Sequence, residues 1–170
     1  MALSAVATER TSQQIDPDLA AQIVEMNHLY AQCLDDNRLD DWPGFFVDDC
    51  RYIVHSRENL NLGLEGYLLY FANKRMLNDR VLSLKEVNIY NIHYDRHFLS
   101  GVMVTGQSGG VYTMRANYMV VQTTLEGRSA IFSVGEYRDT VVLVDGAPKF
   151  KEKLVVVDTY MVNSLLAIPL

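Results

Sequence analysis

A metal site is easiest to imagine at His93, Asp95 and His97, where two of the four histidines flank an acidic residue. A non-haem iron site of two histidines and one carboxylate needs all three ligands to converge on the ion. This segment leads into a predicted strand, in which residues four apart are separated by roughly 13 Å. The pattern therefore favours a hydrogen-bonded loop of histidine, aspartate and Arg96 over a metal site.

The two cysteines, Cys33 and Cys50, give no second route to a metal centre. A Rieske cluster needs two cysteine and two histidine ligands, and both cysteines lie in predicted buried elements far from the histidine cluster. Neither cysteine belongs to a Cys-x-x-Cys pair, and neither has a histidine placed by a recognisable catalytic motif. We expect two buried thiols in a reducing, cytoplasmic protein.

Carboxylates are more plentiful, and five of them are candidates for a catalytic or a structural role. Inside a strongly curved sheet, a buried carboxylate with a raised pKa could act as a general base. The plainer interpretation, which we favour, is that Asp48 and Asp49 close a helix–strand turn and Asp145 makes a hairpin, because aspartate is common in turns. The candidates are Asp48 and Asp49 at a helix–strand turn, Asp139, Asp145 in a hairpin, and Asp158.

The first half of the chain has a helical pattern. Asp16 can cap a helix that begins at Pro17, and apolar residues then recur at steps of three and four residues. The predicted elements are this helix up to 35–37, a short helix over 40–46, a strand over 50–55 and a helix over 64–77, which residues 80–85 could continue.

The second half alternates between apolar and polar residues, which is typical of strands. Hairpin turns separate the strands, and Gly135 inside the third one predicts a bulge. Consecutive hairpins predict a strongly curved antiparallel sheet wrapped over the N-terminal helices, an α+β fold. The predicted strands cover 97–105, 111–124, 129–144 and 149–160, with turns at 107–110, 126–128 and 145–146.

Composition limits the function classes. A chain of 170 residues with 49% apolar residues fits one globular domain over 1–170, with 1–14 as a flexible arm. The net charge of −6 argues against nucleic acid. No apolar run is long enough to cross a membrane. The apolar tail over 161–170 predicts burial against a neighbouring subunit.

Several segments, taken in order, resemble the small (beta) subunits of Rieske-type aromatic-ring hydroxylating dioxygenases. The resemblance covers the chain from about Ile15 to Leu170, and it is carried by the order and spacing of motifs that are weak singly. The motifs are Asp41–Tyr52, Met76–Val81, Asn88–Tyr90, Arg96–Gly101, Gly135–Asp139 and the Asp145-Gly146 hairpin followed by Lys151–Asp158.

The resemblance implies a cone-shaped fold shared with ketosteroid isomerases, scytalone dehydratases and nuclear transport factors. It implies a non-catalytic structural subunit without cofactor or catalytic residue of its own. The partner would be an alpha subunit that holds a [2Fe-2S] Rieske cluster and mononuclear Fe(II), in an alpha3beta3 hexamer supplied with NADH electrons through a ferredoxin or reductase. The closest members act on aromatic acids such as terephthalate, salicylate, anthranilate or halobenzoate.

Two other functions stay open at this point. A stand-alone isomerase or dehydratase of the same fold would use Asp48, His55, His93 and Asp95, of which at least two must point into one closed apolar cavity. A small-ligand binding protein would need an empty, dry cavity. A cone interior filled by tyrosines, phenylalanines and methionines would count against both.

Overall fold

A computed structural model describes residues 15–86, 92–158, 166 and 168–170. The elements in chain order are helix α1 (Pro17–Asp35), a 3₁₀ helix (Trp42–Phe45), strand β1 (Phe46–Ser56), helix α2 (Arg57–Asn61), strand β2 (Tyr67–Phe71), helix α3 (Lys74–Glu86) and strands β3 (His93–Ser108), β4 (Val111–Thr124), β5 (Ser129–Val144) and β6 (Ala147–Val157). The predicted N-terminal arm over 1–14 and the Asn88–Tyr90 segment lie outside the described residues.

The strands form one six-stranded sheet in the order β2-β1-β6-β5-β4-β3. Hairpins join β3 to β4, β4 to β5 and β5 to β6, as predicted, and Asp145 adopts a positive φ of 51° in the last turn. The predicted antiparallel sheet needs one correction: β1 pairs with β6 in parallel. A parallel neighbour requires a long crossover connection, and α2, β2, α3 and the next three strands supply it.

Helix α1 begins as the sequence predicts, with the Asp16 side chain accepting a hydrogen bond from the backbone N–H of Asp18 at 3.1 Å. Its buried side chains share one face of the helix and pack on the concave side of the sheet, where alternate residues of β4 and β5 point inward. Helix and sheet therefore enclose one core, which is the α+β arrangement expected.

The predicted helix over 64–77 is wrong. Residues Tyr67–Phe71 form β2, which pairs with β1, and the helix begins only at Lys74 and runs to Glu86. The apolar residues at 64, 67, 68 and 71 have helical spacing, but a short run of aromatic and aliphatic residues also fits a strand when a neighbouring strand is available for pairing.

The predicted bulge at Gly135 is also misplaced. The register of β5 against β4 shifts at Val120 and Val121, opposite residues 131–133, and Gly135 pairs regularly with Tyr118 and Val157. Gly135 is needed for another reason, because a Cβ atom at this position would lie 1.9 Å from the carbonyl oxygen of Val156. The glycine allows a close approach of backbones.

The described end of the tail lies in the core of this same chain. Ile168 and Leu170 are buried, and the backbone of Leu170 hydrogen-bonds to the hydroxyl groups of Tyr30 and Tyr52. The apolar residues at this end thus gain burial without a neighbouring subunit, whereas docking of the tail over 161–170 in an assembly stays a prediction. Among the described helices, none has the length and apolar character needed to cross a membrane.

Candidate functional site

The interior of the cone is filled by aromatic side chains. Tyr30 of α1 meets Phe150 edge to face, with ring centroids 5.5 Å apart, and Tyr118 stacks on Tyr137 at 4.6 Å. Tyr52 lies on β1, the strand next to β6, and its ring meets that of Trp42 edge to face, with centroids 5.4 Å apart. Packing of this kind fills the region where proteins of related shape could hold a small ligand.

One charged pair lies within this aromatic interior. The Lys153 ammonium donates a hydrogen bond to Asp139 Oδ2 at 2.9 Å, and Asn27 Nδ2 donates to the same oxygen at 3.2 Å. The ammonium also lies 3.6 Å from the ring centroid of Tyr137 and 4.4 Å from that of Tyr30. Lysine and aspartate face each other on neighbouring strands, β6 and β5, and both are buried.

Burial shifts both pKa values toward the neutral forms. It raises the pKa of Asp139 to about 6, although the charge and hydrogen bond of Lys153 act in the opposite direction. Burial likewise lowers the pKa of Lys153, against the attraction of Asp139. An acid with such a pKa could serve as a general base. Asp139 Oδ2 is occupied by Lys153 and Asn27, and Oδ1 is buried without a hydrogen-bond partner among the described residues. Four clefts formed by the described residues lie elsewhere, so none of them brings a substrate to this carboxylate.

The histidine cluster at the start of β3 ties the sheet to α1. His97 Nδ1 lies 2.7 Å from Asp35 Oδ1, and the backbone N–H of His97 donates to the same carboxylate at 3.0 Å. The guanidinium of Arg96 donates to the backbone oxygen of Asp35 at 2.9 Å. The predicted loop is instead the start of strand β3. Its Arg96 and His97 hydrogen-bond to Asp35, a partner 62 residues before His97 that sequence reasoning missed.

His93 and Asp95 share a surface cleft of about 290 Å³ next to this network. His93 Nε2 lies 3.5 Å from Asp95 Oδ2, and Gln122 donates to the other oxygen of Asp95 at 3.2 Å. Burial raises the pKa of Asp95, while His93 and Gln122 counteract the shift. Because β3 begins at His93, both histidines lie on an extended strand.

The remaining candidates for acid–base chemistry are separated. The Asp48 side chain is 99% exposed beside Lys74. His55 is buried on β1, with its Nε2 3.0 Å from the carbonyl oxygen of Leu64 and its ring against Tyr67. Asp48 lines a different cleft from His93 and Asp95. His93 and Asp95 do share one cleft, but it opens to solvent and its lining is polar as well as apolar, so it is not the closed apolar cavity that a stand-alone enzyme of this kind would need.

The cysteine side chains are poor ligands for an iron–sulfur cluster. Cys33 and Cys50 are buried free thiols, as expected, and burial raises both pKa values, that of Cys50 to about 11. Cluster ligation requires thiolates. Within residues 15–86, 92–158, 166 and 168–170, no group of three His, Cys, Asp or Glu side chains could hold a metal ion.

A serine motif in the sequence has no catalytic setting. Gly106-Gln107-Ser108-Gly109-Gly110 has the Gly-x-Ser-x-Gly spacing of a nucleophile elbow, but it forms the hairpin between β3 and β4. A nucleophile elbow joins a strand to a helix, so the motif here is a turn sequence.

Comparison with known proteins identifies the family to which this chain belongs. The family model described as "Ring hydroxylating beta subunit" matches residues 30–164. This chain belongs to the ring-hydroxylating beta subunit family. It is the beta subunit of an aromatic-ring hydroxylating dioxygenase, an oxidoreductase component, and a beta subunit implies an alpha subunit as its partner.

Relatives of this beta subunit support the assignment over nearly its whole length. It is 40% identical to the anthranilate 1,2-dioxygenase small subunit of Burkholderia cepacia over 88% of this chain and 92% of that protein. It is 34% identical to subunit beta 2 of the terephthalate 1,2-dioxygenase terminal oxygenase component of Comamonas sp, covering 88% of this chain and 97% of that protein.

Solved structures show the same fold. The beta subunit assigned to an aromatic-ring-hydroxylating dioxygenase of Novosphingobium aromaticivorans aligns with a TM-score of 0.82 at 38% identity, over 89% of this chain and 96% of that one. A protein of the same organism assigned as a scytalone dehydratase aligns at 0.64 with 21% identity, over 87% and 89%. The predicted similarity to the scytalone dehydratase fold is confirmed.

Proposed function

We propose that this beta subunit is a structural, non-catalytic component of its oxygenase and provides no catalytic, cofactor-binding or metal-binding residue. The observation that carries the proposal is the filled cone interior, where aromatic rings and the Asp139–Lys153 pair occupy the space in which a related enzyme would hold substrate. The reaction then takes place in the alpha subunit, which would hold the Rieske cluster and the mononuclear iron.

The proposed substrate is an aromatic acid. The relatives at 40% and 34% identity are subunits of dioxygenases for anthranilate and terephthalate, both aromatic carboxylates. We propose that the oxygenase of this chain adds oxygen to a substrate of that class, with electrons from NADH delivered through a reductase or ferredoxin.

We further propose that residues 1–170 form one domain that works in the cytoplasm as part of an alpha3beta3 hexamer. Two buried free thiols suit a reducing compartment. This stoichiometry would give each alpha subunit one beta subunit as a support. The chain would then act through its contacts with the other subunits.

Co-expression with a tagged alpha subunit of a ring-hydroxylating dioxygenase tests the proposal. We expect the two chains to co-purify in equal amounts, with iron in the alpha subunit. Supplied with NADH and a reductase, the complex should hydroxylate an aromatic acid, and neither chain should do so without the other. Should the alpha subunit form an active hexamer without this chain, the structural role would be refuted.

Variants of the candidate residues test the non-catalytic claim. In the assembled oxygenase, His93→Gln and Asp48→Asn should leave kcat/KM within about twofold of wild type, since loss of a group used in the transition state costs far more. A drop of about a hundredfold in a variant that still assembles would show that this chain contributes a catalytic group.

A further inference from the structure

Side chains, and not strand pairing, hold the described residues of the tail. Leu166 and Ile168–Leu170, which we call the tail segment, belong to no helix or strand. The hydroxyl groups of Tyr30 and Tyr52 both donate to the backbone oxygen of Leu170, at 2.7 Å and 3.0 Å. The backbone N–H of Leu170 donates in turn to the Tyr52 hydroxyl at 2.9 Å. The backbone of the tail segment is therefore recognised at both its donor and its acceptor groups.

The groups that recognise the tail segment come from three separate elements. Tyr30 lies on α1, Tyr52 on β1 and Arg80 on α3. The Arg80 guanidinium donates to the backbone oxygen of Leu166 at 2.8 Å. Peptide-binding proteins use the same division of labour, in which hydrogen bonds to the main chain supply affinity and pockets for side chains supply specificity.

The side chains of the tail segment fill an apolar pocket at the boundary of the core. Ile168 and Leu170 are buried among the core residues, with 8% and 1% of their surface exposed. Ile168 also lines the cleft of about 290 Å³ that His93 and Asp95 share. Because this cleft opens to solvent, the tail segment lies at the edge of the core and not at its centre.

The tail segment is also separable from the fold that precedes it. The last strand, β6, ends at Val157, and none of the strand pairs of the described sheet includes the tail segment. The family match covers residues 30–164 and so ends before it. A segment held by a few hydrogen bonds and outside the sheet opens at a lower free energy than the whole domain.

We propose that Tyr30, Tyr52 and Arg80 line a binding site for a short apolar peptide, which the tail segment occupies and can leave. Two hydroxyl donors converge on one peptide oxygen, and the adjoining pocket accepts aliphatic side chains. Asp35 and Asp95 line the adjoining cleft, so an acidic peptide would be repelled. The inference does not depend on the proposed function, because it requires neither an alpha subunit nor a reaction.

The tether sets the affinity that the site must have for a free peptide. A segment on a short flexible linker competes for its own site at an effective concentration of about a millimolar. At least about ten docked tails for each detached one then require a dissociation constant of about 0.1 mM or tighter for the same peptide free in solution.

A full-length variant with a detached tail tests the site. Ile168→Asp/Leu170→Asp removes the apolar contacts and places carboxylates in the pocket. Fluorescence anisotropy with a labelled peptide of the sequence Leu-Ala-Ile-Pro-Leu should give a dissociation constant of about 0.1 mM or tighter for this variant. For wild type, whose own tail competes, the value should be at least about tenfold higher. The matched control, Leu82→Asp/Leu125→Asp, adds the same charges at positions that are 53% and 60% exposed and should behave like wild type.

A third substitution tests recognition by the hydroxyl groups. Tyr30→Phe, added to the variant with the detached tail, should weaken peptide binding about fivefold, because it removes one hydrogen bond to the peptide backbone. Tyr118→Phe in the same background should leave the affinity unchanged, since its hydroxyl bonds to Ser133. A peptide with aspartate in place of isoleucine and of the last leucine should not bind.

Each other outcome overturns the inference. A folded variant with a detached tail that does not bind the peptide would refute it, as would binding of equal strength to wild type or equal effects of Tyr30→Phe and Tyr118→Phe.

If the variant does not fold, hydrogen exchange in wild type decides. The Leu170 amide should exchange by local opening, at least about tenfold faster than the Val155 amide of β6. Exchange of both amides only on global unfolding would show that the tail segment cannot leave. These measurements do not involve the alpha subunit, so the inference and the proposed function can fail separately.

Discussion

Lys153 and Asp139 form an ion pair at 2.9 Å in the buried interior of the cone, with no exposed side-chain atoms on either partner. Transfer of both charges from water costs several kcal/mol per ion, and the pair is tolerable because each charge compensates the other. The ring of Tyr137 and the amide of Asn27 also contact the pair, whereas Asp139 Oδ1 has no hydrogen-bond partner among the described residues.

The first prediction concerns loss of one partner of this pair. Lys153→Met should lower the free energy of unfolding by about 3–5 kcal/mol, since it leaves the Asp139 carboxylate buried without its cation. Urea denaturation at neutral pH, followed by circular dichroism, measures the change. The double variant Lys153→Met/Asp139→Leu should recover most of the loss; a double variant as unstable as the sum of its single variants would contradict this account.

The second prediction concerns pH and Glu136. Burial tends to raise the pKa of this carboxyl, but hydrogen bonds from Arg115, Arg138 and Arg57 outweigh it and lower the pKa to about 2. A folded-state pKa below the ordinary 4.5 stabilises the fold above pH 4.5, and this contribution is lost as the pH falls toward 2. Allowing for the exposure of the arginines, we expect a contribution of about 2 kcal/mol.

Glu136→Gln should therefore flatten the fall in stability between pH 4.5 and about 2 that wild type shows. Glu152→Gln is the matched control, because Glu152 lies on the same face but, among the described residues, forms an ion pair only with Arg51. Unfolding by urea at a series of pH values distinguishes the two variants. Equal pH profiles for Glu136→Gln and wild type would show that the arginine network adds no stability.

The long strands and α1 could be predicted because their signals are local. Alternation of inward and outward residues in β4, and the Asp16-Pro17 helix start, are visible in a few consecutive residues. The segment at Tyr67–Phe71 was misassigned because its strand exists through pairing with β1, and the parallel pairing of β1 with β6 joins residues about a hundred positions apart.

The interior polar site was only partly predictable. Asp139 could be singled out as a candidate buried carboxylate, but its cation could not, because lysine is almost never buried and is read as a surface residue. One signal was available: Asp139 and Lys153 face each other across the last hairpin, at inward positions. Asp35 had no such signal, since its partner His97 comes 62 residues later. Glu136 had a local signal in Arg138, two residues along the same strand, but its partner Arg57 comes from a distant element.

The third prediction compares two buried tyrosines. The Tyr52 hydroxyl accepts a hydrogen bond from the backbone N–H of Leu170 at 2.9 Å and lies 3.0 Å from its carbonyl oxygen, whereas the Tyr137 hydroxyl is buried without a hydrogen-bond partner. Tyr52→Phe should destabilise the protein by about 1–3 kcal/mol, because it leaves a buried N–H unsatisfied.

Tyr137→Phe should be neutral or slightly stabilising, since it removes a buried hydroxyl that has no partner. The two variants delete the same atom from the same core, so the hydrogen bonds account for the difference between them. Thermal unfolding of both variants measures it. Equal losses would show that the contacts of Leu170 with Tyr52 contribute little to the stability of the fold.

The fourth prediction tests the close approach at Gly135. A methyl group there would lie 1.9 Å from the carbonyl oxygen of Val156 and 3.0 Å from the Tyr118 ring. Because a backbone oxygen on the next strand cannot move without breaking the β5–β6 pairing, Gly135→Ala should lower the free energy of unfolding by about 3 kcal/mol or more, at the upper end of overpacking changes.

Gly44→Ala is the control, since nothing lies within 4 Å of a Cβ atom built at Gly44. Urea denaturation should place the control within about 0.5 kcal/mol of wild type. Equal stabilities for the two variants would mean that β5 and β6 can separate locally at no cost, and that glycine is not required at position 135.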